Sequence, residues 1–493
     1  MTTSRRYTRE DLVRIATQAM TERGLEPDFP ADAKRQLASI SAAPAADGGN
    51  DAGVRDLTAL PWCSIDNDDS RDLDQLTASE PLVDGAVKLF VAIADVDALV
   101  KKGSPIDAHA EANTTSVYTS AKVFPMLPER LSTDLTSLNP DEDRFAMVIE
   151  MVVAADASIA SSTLYRSRVR NKAKLAYDAV SAWIDAKGPL PDAARAAPGI
   201  DVQLRTQDAV AQRLRTRRHA QGALEFETFQ PRAVFEGDAV VDIRQQVQNR
   251  ARQLIEEVMI ATNQCTAQFL KRGGAASLRR VVRSPERWQR IVEVAARYGE
   301  TLPSQPDSEA LEAFLVRRRQ ADPLRFPDLS LVIVKLMGSG EYVVEQPGEA
   351  PIGHFGLAVR DYMHSTAPNR RFPDLVTLRM IKATLAAAPA AYSRAELDVL
   401  ARHCTEQEDA AQKVERRVRK SEAALMLQQR LGQYFDAIVT GHSERDTWVR
   451  VFSPPVEGKL LNPAKDVDVG RTLRVKLVSA DVERGFIDFV QVG

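Results

Sequence analysis

The chain has 493 residues, 44% hydrophobic and 27% charged, with a formal net charge of −3. This is the composition of an ordinary globular protein; it excludes a disordered or polycationic chain, so any anionic partner must be held by local clusters. At this length about two to four domains are expected, because single cores rarely grow past roughly 250–300 residues.

Thr8–Arg23 reads as an amphipathic helix, with Leu12, Ile15, Ala16 and Met20 on one face. A second helix is predicted over Ala31–Ile40, followed by a linker, Ser41–Gly53, rich in Ala, Gly, Asp and Pro. Residues 1–50 thus form a small helical module, helix-turn-helix being one arrangement they allow. From about Trp62 to Ser167 the pattern is strand-rich, with strands predicted at Val87–Ile93, Ala146–Val153 and Thr163–Val169. The connection between the first two is punctuated by Pro105, Pro125, Pro128 and Pro140. Helices dominate from Ala173 to about Gly432, including a long buried one over Arg244–Arg272, one after Pro373, and others over Ser393–Gly432. The tail reads as five short strands, Phe435–Val439, Trp448–Val451, Gly458–Leu461, Thr472–Val478 and Phe486–Val490. That is the size of an OB-type barrel, with a small sandwich as the alternative.

Cys63, Cys265 and Cys404 are too few and too far apart for a disulfide framework or metal-ligand spacing, and fit a reducing compartment. The start, Met1–Tyr7, lacks the apolar run of a signal peptide, and no long uncharged apolar stretch offers a membrane span. A cytoplasmic protein with no membrane partner is expected.

The most informative segment is Ser64–Leu76, which packs five aspartates, Asp66, Asp68, Asp69, Asp72 and Asp74, into nine residues between apolar flanks. Like charges at that density are hard to keep ionised unless a cation or water neutralises them, and hard carboxylate oxygens suit Mg²⁺; a solvated acidic turn is the alternative. Far downstream, His354–Leu357 and Tyr362–Leu375 place Arg370 and Arg371 in a proline-punctuated loop before a helix. Paired guanidiniums there match phosphate geometry; an ion pair with Asp374 is the structural alternative.

Together these segments resemble the ribonuclease II family, the RNB-domain exoribonucleases. The likeness runs through Ser64–Leu76, Ala92–Val96, Thr115–Tyr118, Pro125–Ser132, Ser137–Pro140, Leu254–Asn263, His354–Leu357 and Pro368–Leu375, all in one order. The resemblance implies an α+β multidomain chain: the helical module, an RNB catalytic domain over residues 60–432 with a β-barrel-like core wrapped by helices, and an OB-fold RNA-binding barrel over 433–493. It implies processive 3′→5′ hydrolysis of single-stranded RNA to nucleoside 5′-monophosphates with Mg²⁺, the RNA threading a channel that needs only a monomer.

Residue by residue, the resemblance makes Asp66, Asp72 and Asp74 metal-binding, with Asp72 and Asp74 also catalytic. Arg370 matches the arginine that steadies the scissile phosphate. Tyr118 and Phe226 match aromatics that grip terminal bases, Tyr177 and Glu256 match ribose contacts, and Glu415 matches a carboxylate near the 3′ nucleotide. The chain departs from the pattern at Gln75, where the family has a fourth aspartate. There an amide offers metal a carbonyl oxygen but no charge, which implies weaker Mg²⁺ binding or recruitment of Asp68 or Asp69. The alternative is a catalytically impaired RNB-type RNA-binding protein. Ala367-Pro368-Asn369 replaces the usual Ser-Pro-Ile, and the helical module stands where cold-shock barrels normally precede the catalytic domain. Arginine clusters at Arg213–Arg218, at Arg279, Arg280 and Arg283, and at Arg317–Arg319 are candidates to line an RNA path. In the tail, stacking would fall to Phe435, Trp448 or Phe452.

Overall fold

At the centre lies a seven-stranded mixed sheet, in spatial order Arg55–Asp56, Ile159–Arg170, Asp143–Val153, Val87–Ala94, Gln75–Pro81, Cys63–Asp66 and Ala173–Ala176. The computed structural model describes residues 7–40, 53–227, 231–237, 239–245, 248–323, 325–442, 446–463 and 470–492. Val87–Ala94 is central because it is apolar almost throughout, and it pairs antiparallel with both neighbours. The two outermost pairings are parallel. The barrel-like core expected for the catalytic domain thus takes the form of a mixed sheet.

Helices Ile200–Ala220, Arg250–Arg272 and Phe372–Leu385 share one hydrophobic core with this sheet. Their polar groups are satisfied within it. Gln203 bonds Ser79 through backbone and side chain, and Thr77 donates to Gln207 at 2.8 Å. The predicted helix over Arg244–Arg272 begins at Arg250, where Asn249 caps it by accepting from the Arg252 N–H at 3.0 Å. The residues ahead of it form a hairpin, Pro231–Glu236 with Ala239–Gln245. The β-branched run Val240-Val241-Asp242-Ile243 is strand-like, and the helical spacing from Val247 onward hid it.

The chain then runs into a single 35-residue helix, Arg394–Gln428, opened by a capping box between Ser393 and Glu396. The first helix, Arg9–Glu22, packs along it: Ala16, Ala19 and Met20 share a core with Ala411, Val414 and Val418. Leu12 and Ile15 join the core of the tail barrel, and Ala33 of the second helix, Ala31–Ser39, joins the core of the central sheet. The tail is a closed barrel in the order Tyr434–His442, Thr447–Val451, Val456–Leu461, Phe486–Gln491 and Thr472–Asp481. Each predicted tail strand matches one of these.

On the long helix Glu422 is 1% exposed; it accepts from the Ser120 hydroxyl at 3.2 Å, while its Oε1 is buried with no hydrogen-bond partner among the described residues. Burial pushes its pKa up to about 7. The folded state therefore holds this proton more tightly than the unfolded chain. The associated stability is present below the ordinary carboxylate range and is lost as pH rises toward 7, by at most about 3 kcal/mol. Glu422→Gln should flatten the fall in thermal stability between pH 5 and 8. An unchanged slope in calorimetry would contradict this.

Candidate active site

The acidic segment bridges two strands of the sheet, with Asp66 ending Cys63–Asp66 and Asp74 immediately preceding Gln75–Pro81. Its shape is set by the Ser137–Pro140 segment. Ser137 Oγ accepts from the Leu73 N–H at 3.0 Å and donates to the Arg71 carbonyl at 2.8 Å, while Leu138 N–H bonds the Leu73 carbonyl. Asp74 is thereby held inward, 2% exposed, whereas Asp68 and Asp69 lie exposed on the turn.

The arginine loop arrives from 296 residues downstream. Asn369 N–H donates to Asp74 Oδ1 at 2.9 Å, and Arg370 Nε donates to Asp74 Oδ2 at 3.2 Å. Asp374, in the first turn of Phe372–Leu385, shapes that loop by accepting from the N–H groups of Thr366 and Ala367 and from Arg371. The two arginines therefore divide: Arg371 forms the structural pair with Asp374, and Arg370 faces the aspartates. The loop is also stitched to the segment carrying Tyr118, through Ser116 N–H to the Arg370 carbonyl and Phe372 N–H to the Thr114 carbonyl.

Tyr118 donates its hydroxyl to Asp72 at 2.9 Å, and its N–H donates to Glu415 on the long helix at 3.0 Å. Tyr177 lies under the Arg252 guanidinium, 4.4 Å from the ring centre, and Arg252 also donates to Asn67 in the acidic turn. Asp66, Asp72, Asp74, Tyr118, Tyr177, Arg370 and Glu415 thus form one neighbourhood.

Its electrostatics are dominated by burial. Burial raises the pKa of Asp74 to about 7 against the lowering pull of Arg370, with Asp72 pushing the same way as burial. Burial also raises Asp66 and Glu415. On Arg370, burial opposes the charge, but Asp74 and then Tyr118, Asp66 and Asp72 outweigh it, so its pKa is raised. Its side chain remains 43% exposed, and a fixed cation reaches solvent directly beside a buried carboxylate.

The donor set of Asp66, Asp72 and Asp74 suits a hard divalent cation: all are carboxylates, and burial raises the pKa of Asp66 and Asp74, so bare charge there is costly and a cation would offset it. The three surround the Arg370 guanidinium rather than a single point. Among the described residues, the carboxylate and imidazole spacing of a preformed metal cluster belongs instead to His219, Glu225 and Glu312. Gln75 opens its strand opposite Ile93, half-buried.

Two predicted residues lie in a separate group. Glu256 accepts from Gln248 at 3.0 Å, and burial raises its pKa against Arg218. Phe226 packs on a second core with Leu224, Trp288, Phe314 and Phe326. The arginine clusters are engaged internally: Arg215 with Glu225, Arg217 with Asp156, Arg218 with Glu257, Arg279 with Glu345, Arg280 with Glu408, Arg283 with Glu341, Arg317 with Glu300 and Arg319 with Glu225. In the tail barrel Phe435 is in the core and Trp448 half-buried, while Phe452, Tyr434 and Phe486 are exposed. The anchoring of Asp74 by Asn369 left no signal in the sequence, because the donor is a backbone N–H that almost any residue would supply.

The sequence model of the RNB domain matches residues 54–387, and that of the RNase II-type exonuclease C-terminal S1 domain matches residues 433–492. The chain belongs to the RNB domain family. It is 31% identical over 434 residues to Ribonuclease R of Escherichia coli K12, covering 85% of this chain and 52% of that protein. Ribonuclease R of Vibrio cholerae serotype O1 is 30% identical over 451 residues, covering 87% of this chain and 53% of the relative. The chain spans about half the length of the curated relatives it matches. In fold it is similar to the apo form of Mycoplasma genitalium RNase R, with a TM-score of 0.86 at 21% identity, covering 98% of this chain and 78% of that one. Among the described residues, no helix is long and apolar enough to cross a membrane.

If burial holds the Asp74 proton and Arg370 opposes it, Arg370→Ala should move the Asp74 titration above about 7. Carboxyl-carbon NMR of selectively labelled aspartate reads this directly. A titration falling to the ordinary aspartate range would show that burial is not the cause.

Proposed function

We propose that this RNB-family chain is a Mg²⁺-dependent exoribonuclease that degrades single-stranded RNA processively from the 3′ end, releasing nucleoside 5′-monophosphates. The observation that carries the reading is the convergence of two hydrogen-bonded pairs, Tyr118 with Asp72 and Arg370 with Asp74, the latter 296 residues apart in sequence, into one charged neighbourhood. In support, Mycoplasma genitalium RNase R has been solved in complex with ribose-methylated single-stranded RNA and with double-stranded RNA.

In this reading residues 60–432 form the catalytic unit and 433–493 the RNA-binding barrel. Asp66, Asp72 and Asp74, with the Gln75 amide oxygen at the margin, would hold Mg²⁺. When bound, the ion supplies an activated water and stabilises charge on the phosphate. Arg370, charged at any working pH and open to solvent on one side, holds the scissile phosphate and offsets the charge that builds on its oxygens. Tyr118 stacks on the terminal base, and Phe226, from its separate group, grips a second base near the 3′ end. The Tyr118 hydroxyl on Asp72 and its N–H on Glu415 fix how far the terminal base sits from the carboxylates. Stacking tolerates any base, at about 1–3 kcal/mol each, which suits a degradative enzyme. Tyr177 and Glu256 contact ribose hydroxyls, the groups that distinguish RNA from DNA. The exposed Tyr434, Phe452 and Phe486 give the barrel a stacking surface. The protein acts as a cytoplasmic monomer.

Gln75 favours the second reading, a non-hydrolytic RNA-binding protein, because it removes one negative charge beside Asp74. With a 5′-labelled single-stranded oligoribonucleotide and Mg²⁺, the native protein should shorten the substrate from its 3′ end. Asp74→Asn and chelator should each abolish this, with the variant still binding RNA. Tight binding with no shortening by the native protein selects the second reading. Gln75→Asp should lower the Mg²⁺ concentration for half-maximal activity several-fold; an unchanged Mg²⁺ requirement would remove Gln75 from the metal site.

A further inference from the structure

We propose that Glu312 is a positioning residue that locks the Phe226 segment in its base-gripping place, an inference that rests on the reading of Phe226 as a stacking aromatic. The segment follows the helix Ile200–Ala220 and has almost no regular structure of its own, yet its backbone N–H groups are held in succession. Leu224 N–H donates to the Gly356 carbonyl at 2.9 Å, Glu225 N–H to Glu312 Oε2 at 3.0 Å, and Glu227 N–H to the Ser330 hydroxyl at 3.3 Å. These acceptors come from three separate places in the chain, so Phe226 is held from both sides in sequence.

Glu312 stands at the centre. It is 6% exposed, and its second oxygen, Oε1, meets His219 Nδ1 at 3.0 Å. From the same helix, Ser308–Ala321, Arg319 reaches Glu225 Oε1 at 2.8 Å, and Arg215 meets the same oxygen at 2.6 Å. One helix thus grips residue 225 twice, by backbone and by side chain. The approach is close as well: Gly222 has φ +87°, and a Cβ there would lie 2.5 Å from Ser308 Oγ and 2.7 Å from Glu309 N. His219, Glu225 and Glu312 are near enough to share a cation. Two guanidiniums already neutralise Glu225, however, and both Glu312 oxygens have partners, so the cluster is a hydrogen-bonded lock.

The lock explains two features that the catalytic reading leaves unused. The helices from Trp288 to Met337 form a core of their own, and Phe226 is packed against it. The His354–Leu357 segment, distant in sequence from the aspartates, supplies the carbonyl that holds Leu224.

The test measures binding of a fluorescent single-stranded oligoribonucleotide in chelator, where no hydrolysis intervenes, and KM and kcat with Mg²⁺. Phe226→Ala should weaken binding about tenfold. Glu312→Leu should weaken it nearly as much and raise KM more than it lowers kcat. Glu312→Gln, which keeps an acceptor for the Glu225 N–H, should restore most of the affinity. The decisive result is the double variant Glu312→Leu/Phe226→Ala, which should bind no more weakly than Phe226→Ala alone. Additive losses, or native affinity in a folded Glu312→Leu, would overturn the lock. If Phe226→Ala itself binds like the native protein, the stacking reading fails and the lock with it. Should Glu312→Leu not fold, Arg319→Ala at its half-buried pair carries the same cycle, with non-additivity supporting the lock and additivity overturning it.

Discussion

The ion pair between Asp74 and Arg370 is the contact on which the arrangement of this protein's candidate site depends. A carboxylate 2% exposed is tolerated because a backbone N–H and a guanidinium receive its two oxygens. Each partner is in turn immobilised by something else. Ser137 and Leu138 fix the acidic loop, Asp374 shapes the arginine loop, and backbone bonds tie that loop to the Tyr118 segment. The result places a fixed cation, several carboxylates and an aromatic ring side by side, with the cation partly open to solvent. That grouping is what phosphodiester chemistry requires.

Around this centre the molecule uses long elements to connect distant parts. The helix Arg394–Gln428 supplies Glu415 to Tyr118 and Glu422 to Ser120, and it shares cores with both the first helix and the tail barrel. The aromatic beside the aspartates is therefore linked to the barrel by a single rigid rod. The first helix braces that rod rather than standing apart on a core of its own.

How much of this was legible in the sequence follows from the kind of signal each feature leaves. The five tail strands alternate or run apolar between Gly and Pro turns, so local periodicity sufficed to find them. The acidic segment and the arginine loop were visible because charge density is a local property. The hairpin Pro231–Gln245 was hidden because its short apolar run abuts the helical spacing that begins near Val247. Partner choice was not legible at all. Arg371 and Arg370 are adjacent, yet one pairs with Asp374 and the other with Asp74, a distinction made by loop shape alone. Likewise most arginines of the clusters read as a possible path for RNA pair with carboxylates from other elements, because a charge pattern does not disclose which acid will face it. Phe226 and Glu256, grouped with the catalytic residues by resemblance, lie in a neighbourhood of their own beside Arg215, Arg218 and Glu225.

In the proposed function the aspartates and Arg370 together form one metal-dependent phosphate site. Anomalous diffraction from crystals soaked with Mn²⁺ and a short oligoribonucleotide tests it most directly. The account predicts an anomalous peak within coordination distance of Asp66, Asp72 and Asp74, with a backbone phosphate between the ion and Arg370. A peak only at His219, Glu225 and Glu312, or RNA bound with its phosphates away from Arg370, would contradict it.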